Sequence, residues 1–234
     1  LGSDGILGVP MRVVGTLVIG YLIFAAALNT AGGGKFFMDL ALSLLGHVRG
    51  GPAKVAVLAS ALFGSISGAP VANVLSVGSF TIPLMKKMGF SAEYAGGVEA
   101  CASTGVCLMP PVMGAAAFIM ADFLQLPYRD ICIAAIFPSF LFYYTIFVQV
   151  DAHAAQLGMK GCSPETLPSA IATLKWGWFY TVSFVVLVYL LLGGYQEAQA
   201  PFYAIPLLLG LPAISKKTRL HFKDLISFIE GSGR

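Results

Sequence analysis

The sequence predicts an all-α polytopic membrane protein, an ion-transporter-type repeat with a re-entrant helical hairpin and a broken transmembrane helix. Three observations carry this reading. Of the 234 residues 57% are hydrophobic and only 11% charged, where a soluble domain carries about 25% charged residues. The mean hydropathy is +0.83. Apolar segments recur along the chain, and two consecutive ones are interrupted in their middles by glycine, serine and proline.

Residues 9–29 form the first spanning candidate, with Arg12 alone charged and at its edge. The run Gly32-Gly33-Gly34 ends it. Phe36, Phe37, Leu40, Leu44 and Val48 then recur at helical spacing in a segment too short to span, which reads as a surface arm. Residues 1–53 are therefore assigned to a first transmembrane helix and an arm helix.

Residues 54–87 read KVAVLASALFGSISGAPVANVLSVGSFTIPLMKK. The arm Val55 to Ser67 would extend about 20 Å as a helix. The arm Val71 to Met85 is slightly longer, and neither crosses a hydrocarbon core of roughly 30 Å. Between them Gly64, Ser65, Ser67, Gly68 and Pro70 break the helix. The predicted geometry is a hairpin that enters and leaves on one side. Non-helical backbone at membrane depth survives only against protein or a water-filled cavity, so such a hairpin lines a substrate or ion site.

Residues 91–126 contain the second broken element. Ala92 to Ala102 is one half-helix, the stretch STGVCLMPP (103–111) is the break, and Val112 to Leu126 is the other half. Together 54–130 form a candidate half of a transport domain. Within 131–215, residues 131–150 read as a span and 151–175 as a polar loop. Trp176 to Leu192 reads as a span with tryptophans at its interface, and 201–214 as a short proline-punctuated span. Residues 216–234 read as a cytoplasmic amphipathic segment.

Orientation follows from the basic residues. One side collects Lys35, Arg49, Lys54, Lys86, Lys87, Lys160, Lys175, Lys216, Lys217, Arg219 and Lys223, against Arg12 and Arg129 on the other. The positive-inside tendency makes the first side, and the hairpin's mouth, cytoplasmic. Cys101, Cys107, Cys132 and Cys162 have neither zinc-ligand spacing nor a disulfide pattern.

Two breaks in one membrane layer bring helix ends together. Freed carbonyls and hydroxyls suit a hard monovalent cation, and freed N–H groups suit an anionic substrate. The ion-binding candidates are Ser65, Ser67, Gly68 and Asn73 at the tip, with Ser103, Thr104 and Gly105 at the break. Asn73, Glu99, Pro110 and Pro111 are candidates to line the substrate cavity. Close packing of small residues is the alternative for any one of them. For Glu99, a carboxylate inside a half-helix, the readings are a coupling-ion or proton site, an electrostatic aid to cation binding, or a group facing an aqueous cavity or a neighbouring lysine.

Other classes find little support. His47, His153 and His221 fall outside the spanning segments, which leaves an intramembrane serine protease without a base. There is no phosphate-binding G-x-x-x-x-G-K-[ST] stretch and no nucleic-acid motif. A passive channel-like subunit remains the alternative to a transporter, and no cofactor is expected.

The stretches LLGHVRGGPAKVAVLASALFGSISGAPVANV, GSFTIPLMKKMGF and EACASTGVCLMPPVMGAAAFIMADFLQLPY resemble the large membrane subunit of tripartite ATP-independent periplasmic (TRAP) transporters. With GILGVP and VQVDAHAAQLGMKG, the likeness is greatest to the fused branch that works with TAXI-type binding proteins. The resemblance implies elevator-type, sodium-coupled uptake of a small organic anion, with sodium ions as the coupling ions. Its implied partners are a periplasmic TAXI-type substrate-binding protein, a small membrane subunit (separate or fused upstream) and the surrounding lipid bilayer. The implied location is the cytoplasmic (inner) membrane of a bacterium or archaeon, crossed several times. Carried over residue by residue, Ser65 to Asn73 and Ser103 to Pro111 resemble the family's first sodium site. The tip reads Ser67-Gly68-Ala69-Pro70 where relatives often have S-G-S, and the break reads Ser103-Thr104-Gly105-Val106 where they often have S-T-G-G. The family also has a second, inverted repeat, so these residues are expected to be roughly the first repeat, completed by a C-terminal repeat that this sequence does not include.

Overall fold

A computed structural model describes residues 8–162, 167–193 and 197–214. The amphipathic segment expected at 216–234 lies outside the described residues. Among those described the chain is helical throughout, with no strand.

Helix α1, Met11–Thr30, is one of two helices among the described residues long and apolar enough to cross a membrane, and contains a π turn at Val14–Val18. It ends at Gly32, whose φ of +86° turns the chain. Helix α2, Gly33–Leu45, buries Phe36, Phe37 and Ala41. Phe37 meets Phe63 at 6.4 Å between ring centroids, and Gly51 sits on the Gly46 carbonyl. Helix α2 therefore runs antiparallel to α3, Gly51–Ser67, with its apolar face laid on it.

Helix α3 is the first arm of the hairpin. The second arm, α4 (residues 70–87), consists of Pro70–Asn73, a π turn at Val74–Gly78, and Ser79–Lys87. Met85 near its end joins Ala53, Ala56 and Val57 near the start of α3 in one buried cluster. Both ends of the hairpin thus lie together. Helix α5, Ala92–Thr104, is capped by Ser91, whose hydroxyl accepts from the Tyr94 N–H at 3.2 Å. It tightens into a 3-10 turn at Gly105–Cys107, and after an irregular stretch α6, Ala115–Leu124, resumes.

Helix α7, Tyr128–Gln156, is the second long apolar helix. It continues through Asp151 where the sequence pointed to a loop, and Asp151 shows why. Its carboxylate accepts from Arg49 and from Lys54 Nζ, each at 2.5 Å. Lys54, counted among the basic residues of the cytoplasmic side, is consequently 6% exposed, with Phe147 beneath its ammonium at 5.0 Å. These bonds bring the end of α7 to the mouth of the hairpin. Helix α8, Ala170–Trp176, also falls in the expected loop, and bends 72° into α9, Trp178–Leu192. The bend is at Gly177, where the Phe36 ring occupies the space of a side chain. Helix α10, Ala200–Ile214, packs on α9 and α1.

Candidate functional site

The hairpin tip and the break after α5 touch directly. The Val112 N–H donates to the Ser65 carbonyl at 3.1 Å. Gly68 has φ +63° and caps α3 by donating to the Gly64 carbonyl at 2.9 Å. A Cβ on Gly68 would overlap the Met113 carbonyl oxygen, and one on Gly64 would overlap the Val106 side chain. Two glycines therefore let the tip and the break close on each other. Pro70 starts the second arm and has no N–H for the Ile66 carbonyl four residues back.

The Gly64 contact gives a prediction. Gly64→Ala is expected to lower the melting temperature of the purified protein, and Gly64→Ala with Val106→Ala to recover most of the loss. The obstacle is a side chain that the second change removes. A control with Val106→Ala alone, a cavity-forming change worth about 1–3 kcal/mol, should be destabilised and improved by adding Gly64→Ala.

Beneath the tip lies a hydroxyl–carboxylate network. Glu99 is fully buried. Its Oε1 accepts from Ser60 Oγ at 2.8 Å and from Ser103 Oγ at 3.2 Å, and its Oε2 accepts from Thr81 Oγ1 at 2.5 Å. Ser60 belongs to α3, Thr81 to α4 and Ser103 to α5, so one carboxylate ties together both arms and the half-helix. Gly78 lies flat against it, with room for no side chain: a Cβ there would be 2.9 Å from Glu99 Cγ. Asn73 Nδ2 donates to Ser103 Oγ at 2.8 Å. Among the described residues no lysine or arginine pairs with Glu99.

Two tip oxygens remain. Ser67 Oγ and Asn73 Oδ1 are buried and have no hydrogen-bond partner. A buried polar group left unsatisfied costs about 1–3 kcal/mol, and a ligand at the tip would offset that cost for both. With Nδ2 committed to Ser103, Asn73 offers only its carbonyl oxygen. Oxygen donors of this kind suit a hard cation. No group of three His, Cys, Asp or Glu able to hold a transition metal occurs among the described residues.

The other candidates have different surroundings. Ser65 Oγ donates back to the Leu62 carbonyl, and Thr104 Oγ1, on the exposed side, to Ala100, each at 2.8 Å. Gly105 packs under Phe142 and Tyr143. Pro110 is half-buried and Pro111 buried. The Tyr128 hydroxyl lies 3.1 Å from the Pro111 carbonyl and 2.5 Å from that of Val112, so α7 supplies a donor to carbonyls of the irregular stretch. Sequence reasoning passed over Ser60, Thr81 and Tyr128. The available signal was spacing: Ser60 stands four before Gly64, and Thr81 eight after Asn73, each on one face of its arm.

The family described as "Tripartite ATP-independent periplasmic transporter, DctM component" matches residues 5–234. Among curated proteins, the chain is similar to the C4-dicarboxylate TRAP transporter large permease protein DctM of Pseudomonas aeruginosa. The two are 28% identical over 185 residues, which is 77% of this chain and 41% of the relative. It is 27% identical to the 2,3-diketo-L-gulonate TRAP transporter large permease protein YiaN of Escherichia coli over 163 residues, 69% of this chain and 32% of the relative. It is 33% identical to the sialic acid TRAP transporter permease protein SiaT of Haemophilus influenzae over 91 residues, 39% of this chain and 15% of the relative. The chain thus spans less than half the length of these relatives. With the match covering nearly every residue of a helical, apolar chain, this membrane protein belongs to the DctM component family of tripartite ATP-independent periplasmic transporters.

Proposed function

We propose that this segment is half of the ion-coupled core of a permease that takes up a small organic acid, with sodium as the coupling ion. The observation that carries the reading is the pair of buried, unpartnered oxygens, Ser67 Oγ and Asn73 Oδ1, at the tip of a broken hairpin. They stand where the chain cannot continue its helical hydrogen bonds, and oxygen ligands there could replace the hydration shell of a monovalent cation. The names of the relatives refer to C4-dicarboxylate, 2,3-diketo-L-gulonate and sialic acid, which supports a carboxylic acid as cargo.

On this reading the hairpin and the broken helix (54–130) belong to a mobile elevator domain in the inner membrane. A periplasmic binding protein of the TAXI type delivers the cargo, a small membrane subunit accompanies the permease, and a second repeat completes the site. Proteoliposomes holding the full gene product with its binding protein should accumulate substrate only in an inward sodium gradient. Uptake that persists in choline or potassium would overturn sodium coupling, and conductance without the binding protein would favour a passive channel. Ser67→Ala with Asn73→Ala should raise the sodium half-point about tenfold or more while leaving protein yield near that of the parent, since it removes both orphaned oxygens. Parallel loss of yield and sodium response would assign these residues to packing.

A further inference from the structure

The chain Asn73–Ser103–Glu99 has a direction. Ser103 has one hydroxyl proton, which goes to Glu99 Oε1 at 3.2 Å, and its oxygen therefore accepts from Asn73 Nδ2 at 2.8 Å. That fixes which end of the Asn73 carboxamide faces the tip. Nδ2 is held against Ser103, and Oδ1 is left buried without a partner. Were Ser103 to donate to Asn73 instead, the amide would turn over and present N–H groups to the same space, which a cation would reject.

We propose that Glu99 is a positioning residue for cation selectivity: acting through Ser103, it orients Asn73 so that the hairpin tip presents a carbonyl oxygen. The inference rests on the cation site proposed above. It differs from a role as ion ligand or as a source of negative charge, because only the hydrogen-bond acceptor at Oε1 is needed. Ser60 Oγ, which donates to the same oxygen at 2.8 Å, reinforces that polarity. Thr81 can serve either state of the other oxygen, since its hydroxyl lies 2.5 Å from Oε2 and 3.2 Å from the Val77 carbonyl. A glutamine at this position can therefore keep an acceptor toward Ser103 and place its amide N–H on Thr81.

The test is the sodium-dependent rise in melting temperature of the full gene product in detergent, titrated with sodium chloride against choline chloride; it needs no substrate. Glu99→Gln, the conservative variant, should keep the sodium half-point within about threefold of the parent. Glu99→Met should raise it about tenfold, the equivalent of one buried hydrogen bond. Adding Asn73→Asp to Glu99→Met should restore most of the response, because aspartate presents an oxygen whichever way it turns. Ser103→Ala, a smaller change, removes the relay and should also raise the half-point about fivefold or more. A Glu99→Gln loss as large as that of Glu99→Met would mean that charge, not orientation, matters. Absence of recovery in the double variant, or an unchanged Ser103→Ala, would equally overturn the proposal. A parent protein whose melting ignores sodium altogether would instead overturn the cation site itself.

Discussion

Replacing Gly68 by alanine is expected to open the hairpin tip and to lower the melting temperature by roughly 5–10 °C. Two independent effects add. A residue with a Cβ in the left-handed region that Gly68 occupies, φ +63°, costs about 1–2 kcal/mol. The new Cβ would also overlap the Met113 carbonyl oxygen. That obstacle is backbone, so no rotamer change relieves it. Met113 cannot easily retreat either: it is itself at φ 53°, with its N–H on the Met109 carbonyl at 3.3 Å. Gly158 supplies the control. It shares a φ of +63°, but nothing lies within 4 Å of its absent Cβ. Gly158→Ala should therefore show the conformational cost alone, about 1–2 kcal/mol, and melt well above Gly68→Ala. Equal melting temperatures would mean that the tip does not press on the break as described.

The two breaks were legible because glycine and proline are local signals. Gly68, Pro70 and the 103–111 stretch disrupt a helix whatever surrounds them, and helical breaks fall there: Ser67 ends α3, and Thr104 ends α5. Glu99 stood out for the same reason, as a charge where hydrocarbon was expected. Its partners did not, because Ser60 and Thr81 lie 39 and 18 residues away and only the folded packing of three helices joins them. The extension of α7 past residue 150 was hidden likewise. Polar composition at 151–156 reads as loop, and its helicity comes with Asp151's distant bonds to Arg49 and Lys54. The bend at Gly177 depends on Phe36, which no local pattern could place beside it. Thr104 and Ser65 show a local alternative. Both have the right chemistry at the right break, yet both hydroxyls turn back onto their own helix, a competition that serine and threonine always face.

The ion cluster at the hairpin's mouth yields the other large effect. Asp151 holds two cations that differ sharply in exposure: the Lys54 side chain is 7% exposed and that of Arg49 50%. An exposed pair contributes little, because water and salt already screen it. A buried cation stripped of its partner is strongly unfavourable, because nothing offsets its desolvation. Asp151→Ala should therefore lower the melting temperature by roughly 5 °C or more, whereas Arg49→Ala should change it by no more than about 2 °C. The diagnostic variant combines Asp151→Ala with Lys54→Met, which removes the orphaned charge while keeping an apolar stem over Phe147, the ring now 5.0 Å from the ammonium. It should recover most of the lost stability, as replacement of buried ion pairs by apolar groups often does. Failure to recover would assign the loss to Arg49 or to the end of α7 itself. Recovery would show that the loss comes from leaving Lys54 unneutralised, and that the apolar packing of Ile146, Val150 and Ala154 on Ala53, Ala56 and Val57 holds α7 to the first arm of the hairpin without the ion pair.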